Sequence, residues 1–272
     1  MPKIPDNLLV CPSCKKGWLG WGRERKDGVR CRLCDARFTF KKGVIDLLGK
    51  NFAKKSVSQL VMEAESVVNI YESRFWRKSS HFSFFLGIDF NKECALIQKA
   101  ANLKPEGTIL DIACGPGIYT RPLANSMTGG LAVGLDISLP MLNHAARLAR
   151  EDHVDNTLFL RASALSLPFE DNHFPNVNCC GALHLFPDRK KAVEEIFRVL
   201  IPGGCFTVAM VRIPDSLSGS FSRKALRLVG IKGFSGKEME LLLSSAGFVE
   251  IKALHARRFW HIFSAKKPND DL

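Results

Sequence analysis

From residue 90 onward the chain alternates between two hydrophobic periods. Apolar residues recur three and four apart in KECALIQKAANL, GIYTRPLANSM, PMLNHAARLAREDH, RKKAVEEIFRVL and SGKEMELLLSSAGF, and each segment reads as a helix. Between them, GTILDIA, GLAVGLDIS, NTLFLRAS and GGCFTVAMVRI are short apolar runs of the kind that form buried strands, and FPNVNCCGALHLF reads as a strand leading to a loop. This alternation predicts an α/β fold, a doubly wound, mostly parallel sheet with helices on both faces. VEIKALHA and RRFWHIFSAKK follow each other too closely for a parallel crossover. The sheet is therefore expected to finish with an antiparallel strand.

Upstream the pattern changes. SVSQLVMEAESVVNIYESRFW has helical spacing and predicts a helix over 57–75. GVIDLLGKNFAKKSVS, before it, reads as a connector because of its Lys and Ser content. The first fifty residues hold two short alternating stretches, GVRCRLC and ARFTF, and two C-x2-C pairs, Cys11/Cys14 and Cys31/Cys34, with sixteen residues between them. That spacing is a zinc-site signature, in which each pair forms a tight knuckle and four thiolates close a tetrahedral shell. Such a shell leaves no position for water, so the expected metal is structural Zn2+. A unit this small buries too little apolar surface to fold without it.

Composition narrows the class. Hydrophobic residues make up 46% of 272, enough for a real core. The first residues carry no apolar h-region, and no apolar run reaches the length of a membrane span, so a soluble, cytoplasmic protein is expected. Nine cysteines then favour metal binding or buried thiols over disulfides. Charge is uneven: residues 1–60 hold 14 Lys/Arg against 5 Asp/Glu, most of the chain's net +12. A basic ribbon containing Trp18, Trp21, Phe38 and Phe40 is either a docking module for an anionic partner such as RNA or a solvated small unit with a minimal aromatic core.

The chemistry centres on ILDIACGPGIYT. Gly115 and Gly117 permit a turn and close backbone approach at the end of the first parallel strand, where such sheets bind ligands. A dinucleotide fingerprint would need a third glycine at Thr120. Asp111 is a poor neighbour for a pyrophosphate and a good one for an ammonium group. Asp136, nineteen residues after Gly117 at the end of the next strand, can accept two hydrogen bonds from ribose hydroxyls. A cationic end and a ribose without a pyrophosphate describe S-adenosyl-L-methionine better than NAD.

ILDIACGPG, GLDIS, LSLPFEDNHF and EIFRVLIPGG together resemble class I S-adenosylmethionine-dependent methyltransferases, in particular the type-11 group that includes the ubiquinone and menaquinone C-methyltransferases. The whole chain, with its CxxC pairs, YESRFW, GALH and SAKKP, is similar to a group of uncharacterised plastid and bacterial methyltransferases. A zinc ribbon before such a domain also resembles the 23S rRNA guanine-N1 methyltransferases. The resemblance implies a Rossmann-like, seven-stranded sheet, with a zinc ribbon over 1–50, a linker and helix over 51–90, and a methyltransferase domain over 91–272 with a lid at 214–236.

It also implies site roles. Asp111, Ala113 and the Gly115–Gly117 loop would hold the methionine moiety, and Asp136 the ribose. Ile137 and Met141 would flank the adenine, with Ser163 and Ala164 beside it; Ser163 stands where the class often has an acid. Gly181 and Ala182 would lie next to the reacting methyl, Tyr71 would close over the cofactor, and His184 is the candidate general base. The chain lacks the N/D-P-P-Y/F/W motif of many amino-N methyltransferases, and GALH in its place leans towards a carbon or oxygen acceptor. The expected acceptor is a small, partly apolar metabolite; the alternative is an RNA base, with the ribbon as docking module.

Overall fold

The computed structural model describes residues 4–22, 28–49, 79–212, 233 and 235–269. Tyr71, the helix expected over 57–75 and all of the 214–236 segment except Gly233, Ser235 and Gly236 lie outside the described residues.

Seven strands carry the alternating half of the chain: β5 (Thr108–Ile112), β6 (Leu131–Asp136), β7 (Thr157–Arg161), β8 (Phe174–Cys180), β9 (Leu200–Val211), β10 (Val249–Arg257) and β11 (Trp260–Lys266). Their spatial order is β7-β6-β5-β8-β9-β11-β10. The central pairs are parallel, and β11 runs antiparallel to both β9 and β10, as the short β10–β11 connection requires. This is the doubly wound fold expected of a class I methyltransferase. β5, β6 and β7 are buried almost residue by residue because helices cover both faces.

The described helices are α1 (Ser80–Leu86), α2 (Phe90–Ala101), α3 (Thr120–Asn125), α4 (Leu139–Glu151), α5 (Arg189–Val199) and α6 (Gly236–Ser245). Their starts are specified locally. The side chains of Asp89, Ser138 and Asp188 accept backbone N–H bonds from Lys92, Met141 and Lys191, and Ser235 with Glu238 forms a reciprocal capping box. In α4 the buried positions Met141, Leu142, Ala145, Ala146 and Ala149 form one stripe against the sheet.

The ribbon departs from expectation in one respect. It contributes β1 (Leu19–Trp21), β2 (Val29–Cys31), β3 (Arg37–Lys41) and β4 (Val44–Asp46), and β4 pairs in parallel with β7. The sheet is thus eleven strands long, not seven. The VID of β4 lies in the stretch read as a connector, because three residues are too short to display a period. Leu8, Leu9, Leu19 and Leu47 belong to the same buried cluster as Leu160, Ala162 and Leu167, so the ribbon and the methyltransferase sheet share a core.

Candidate functional site

Strand order reverses at β5, with β6 on one side and β8 on the other, and the loop Ala113–Tyr119 emerges at that point. Cys114 N–H donates to the Leu135 carbonyl and Gly117 N–H to the Cys114 carbonyl, folding the loop back on β6. Gly117 has φ +72°, and a Cβ there would stand 3.2 Å from the Ala145 Cβ. At Gly115, φ +53°, a Cβ would meet nothing within 4 Å among the described residues, as a ligand cradle requires. Ala113 also has φ +53°, in the left-handed region, where a Cβ costs about 1 kcal/mol.

The two carboxylates at the strand ends have different surroundings. Asp136 Oδ2 accepts from Gly115 N–H at 2.8 Å and Oδ1 from Ser138 N–H at 2.8 Å. It is half-buried, held by backbone at the rim of the loop. Asp111 is only 1% exposed, with Oδ2 accepting from the Thr120 hydroxyl at 2.5 Å and Oδ1 from Asn178 Nδ2 at 2.7 Å. Asn178 Oδ1 in turn accepts from Thr207 at 2.9 Å and from the Cys180 thiol at 3.1 Å. Burial pushes the Asp111 carboxyl up to about 6, despite those donors. Asp111 is therefore a buried charge at the foot of the loop, with each oxygen holding one internal hydrogen bond. Thr120, Asn178 and Thr207 were not expected from sequence; the signal for Asn178 was a polar residue inside an apolar strand, which needs a buried partner.

Ile137 is half-buried and Met141 is buried on the first turn of α4, while Ser163 and Ala164 are half-buried after β7. The Ser163 hydroxyl accepts from Leu165 N–H at 3.2 Å. On the other side of the loop, Gly181 follows β8 at φ +81°, its N–H donating to the Ala209 carbonyl at 2.7 Å. Ala182 is buried beside it, and a Cβ on Gly181 would touch the Trp260 ring at 3.6 Å. Glu93, fully buried on α2, accepts from Tyr119 Oη at 2.8 Å and from Trp260 Nε1 at 2.7 Å. It ties the end of the glycine loop to β11.

His184 follows in the short 3-10 turn Leu183–Leu185. It is 6% exposed, and burial, helped by the Arg189 charge, holds its imidazole down at about 4. It is neutral at working pH and a weak base by itself. Cys179 and Cys180 are buried, and desolvation pushes both thiols above the ordinary range, as inert core cysteines.

The β10–β11 turn meets the end of β9, with Trp260 opposite Val211. A hollow of about 1100 Å³ opens there, lined by Phe84, Lys92, Arg212, His255, Arg257 and Arg258. The Arg258 guanidinium lies 3.6 Å over the Phe84 ring, and Phe85 stacks on Phe259 at 4.6 Å. A second groove, of about 1030 Å³, runs between the ribbon and α4, with Trp21, Phe40, Lys41, Lys42 and Arg150 along it.

In the ribbon, the sulfurs of Cys11, Cys14, Cys31 and Cys34 all lie within 4.8 Å of one another, with Cys11–Cys34 and Cys14–Cys31 at 3.7 Å. A tetrahedral Zn–S shell with bonds of about 2.3 Å has edges of about 3.8 Å, so the cluster fits. The Lys16 and Gly17 backbone N–H groups hold the Cys14 thiol down at about 6, favouring the thiolate that a metal needs. Gly17 is packed so tightly that a Cβ would stand 2.5 Å from Cys31 Sγ.

Residues 109–204 match the family model described as "Methyltransferase domain". Over 96% of its length the chain is 28% identical to the uncharacterised chloroplastic methyltransferase At1g78140 of Arabidopsis thaliana, covering 79% of that protein. It is 30% identical to the demethylmenaquinone methyltransferase of Lactiplantibacillus plantarum, over 64% of this chain and 63% of that one. Among solved structures, phosphoethanolamine N-methyltransferase 2 of Haemonchus contortus, in complex with S-adenosylhomocysteine, superposes with a TM-score of 0.66 at 17% identity, over 79% of this chain and 61% of that one. The matched domain spans the glycine loop, Asp136 and His184, so residues 109–204 carry a methyltransferase domain, and the relatives and solved structures support an S-adenosylmethionine-dependent methyltransferase.

Proposed function

We propose that the enzyme methylates a small, partly apolar acceptor that carries a negative charge, at carbon or oxygen. The observation that carries this reading is the hollow at the β10–β11 turn, where Arg212, Arg257 and Arg258 share the wall with the exposed ring of Phe84, and where Trp260, which follows the turn, reaches towards Gly181. An amphipathic anion fits such a wall, and the lid expected over 214–236 would cover it. One relative is named for demethylmenaquinone, in keeping with a carbon acceptor.

S-adenosylmethionine supplies an already activated methyl group, so the protein's work is to position two reactants and exclude water. Asp136 would accept from the ribose hydroxyls through the lone pairs left by Gly115 and Ser138. Ile137, Met141, Ser163 and Ala164 would enclose the adenine, and Gly115 and Gly117 would let the methionine chain lie on the backbone. Asp111 would act from below, a buried negative charge that a cationic ligand stabilises. Tyr71, the remaining residue of this set, would close from the segment before α1. Gly181 and Ala182 would leave room for the methyl to pass. An acidic acceptor beside His184 would raise its imidazole pKa, since a neighbouring anion favours the charged ring, and so make it a base for that substrate. Zn2+ on the four cysteines would be structural. A cytoplasmic placement would keep those thiols reduced and free to hold the metal.

The groove between the ribbon and α4 keeps an RNA acceptor as the second reading, since its aromatics and cations could stack bases and pair phosphates. Incubating the purified enzyme with methyl-labelled S-adenosylmethionine and separate metabolite and RNA fractions decides between them. Label is expected in an acidic, partly apolar small molecule. Arg257→Ala with Arg258→Ala should raise KM for that acceptor about tenfold, the loss of roughly one charge-assisted bond, with unchanged cofactor affinity. Label confined to RNA would overturn the first reading.

A further inference from the structure

We infer that the ribbon is a working part of the cofactor site, and that Asp46 and Arg161 are positioning residues that hold the Ile137 loop in the shape that binds the cofactor. This rests on the reading of that loop as the ribose and adenine site.

The β4–β7 ladder runs Val44↔Phe159, Ile45↔Leu160, Asp46↔Arg161, and is prolonged by Leu47 N–H donating to the Arg161 carbonyl at 3.0 Å. Where it ends, the Arg161 guanidinium bridges the two units. Nη1 donates to Asp46 Oδ2 at 2.9 Å and to the Gly49 carbonyl at 3.3 Å, while Nε donates to the Ile137 carbonyl at 3.1 Å. Asp46 is itself oriented by the ribbon, since its Oδ1 accepts from Leu48 N–H at 3.1 Å and Gly49 N–H at 3.0 Å. The side chains of Arg161 and Asp46 are 12% and 15% exposed, so the pair is shielded from screening by solvent.

Ile137 stands between Asp136 and Ser138, and Ser138 N–H returns to Asp136 Oδ1. A continuous path therefore leads from ribbon backbone through Asp46, Arg161 and the Ile137 carbonyl to the carboxylate read as the ribose ligand. A second tie, Val10 N–H to the Pro168 carbonyl at 2.9 Å, joins the ribbon to the chain just after Ser163 and Ala164. The ribbon is thus bonded to one adenine wall at Ile137 and to the chain at Pro168, which follows the other. An ion pair serving stability alone has no need of the Nε bond to Ile137. Arg can make that fork; Lys, a point charge, cannot.

The test is S-adenosylmethionine affinity by calorimetry on the full-length protein, well below its unfolding temperature, with Tm measured in parallel. Arg161→Ala and Asp46→Ala are each expected to weaken binding about tenfold, with the double variant no weaker than the worse single one. Arg161→Lys should restore Tm but not affinity, a split that a merely structural pair would not give. Asp46→Asn keeps the turn that caps Leu48 and Gly49 and should still weaken binding, which covers the case of Arg161→Ala failing to fold. Lowered Tm with wild-type affinity throughout the series would overturn the inference. A wild-type protein that binds no cofactor would instead overturn the underlying assignment of the site, and this inference with it.

Discussion

The two ends of the seven-stranded part of the sheet are closed in different ways. At β7, beside the cofactor loops, the edge is covered by β4 through main-chain pairing, a shared core and the Arg161–Asp46 bridge. At β10, on the far side, the edge is mostly exposed, has two register shifts along its pairing with β11, and carries Glu250 paired with Lys252 and Lys266 at the surface. Charge and irregularity are a sufficient defence for an edge that only has to avoid pairing with other chains. The β7 edge has more to do, because the segments after β6 and β7 are the ones read as the ribose and adenine walls. The half read as the cofactor site is therefore built from two pieces of chain, whereas the half read as the acceptor site is lined by basic residues.

Losing the metal should separate the two edges most sharply. Structural zinc sites contribute about 10–16 kcal/mol of binding free energy to folding. Metal analysis is expected to find about one zinc per chain. Cys31→Ser should then lower the Tm of the whole molecule in a single transition, since the ribbon and sheet share a core. At the other edge, Glu250→Ala should change stability by no more than about 0.5 kcal/mol, as exposed ion pairs do. Two separate transitions in Cys31→Ser, with the methyltransferase sheet unaffected, would show that the edges are equivalent and the ribbon independent.

A smaller effect distinguishes the buried floor under β5 from the rim at β6. The native Asp111 carboxyl, held at about 6, keeps a proton that an unfolded carboxyl at 3.8 has released. Its contribution to stability thus falls as pH rises through that window, leaving a cost of about 3 kcal/mol above it. His184 has the opposite sign: held at about 4 against 6.5, it refuses a proton that the unfolded chain takes up, so stability falls as pH drops from 6.5 towards 4. Together they flatten the wild-type profile between pH 4 and 6.5. Urea unfolding of Asp111→Asn should show stability rising with pH across that range and exceeding wild type at pH 8. A variant with the wild-type profile would place the raised pKa elsewhere.

Much of this was legible in the sequence because the responsible residues declare themselves by type and spacing. The alternation after residue 90 located all seven strands of the methyltransferase sheet, the close β10–β11 connection specified the antiparallel finish, and the doubled C-x2-C pairs marked the sulfur cluster. Interactions across long sequence separations were not legible. β4 is three residues without a period. Arg161 looks like the polar end of a strand, and its partners lie 115 and 24 residues away. Glu93, in the first turn of α2, reads as a solvated acid, yet it is fully buried because Tyr119 and Trp260 donate to it from 26 and 167 residues along the chain. Asp111 was read as a ligand of the ammonium group. Only the fold reveals that Thr120 and Asn178 already engage both of its oxygens.

The most direct test of the cofactor site is the affinity of the purified protein for S-adenosylmethionine with and without Asp136, measured by calorimetry. On that assignment Asp136→Ala would remove the acceptor for two ribose hydroxyls, hydrogen bonds to a charged group worth about 1.5–3 kcal/mol each. Binding is expected to weaken at least tenfold, about 1.4 kcal/mol. Wild-type affinity in a folded Asp136→Ala protein would contradict the assignment of this loop as the cofactor site.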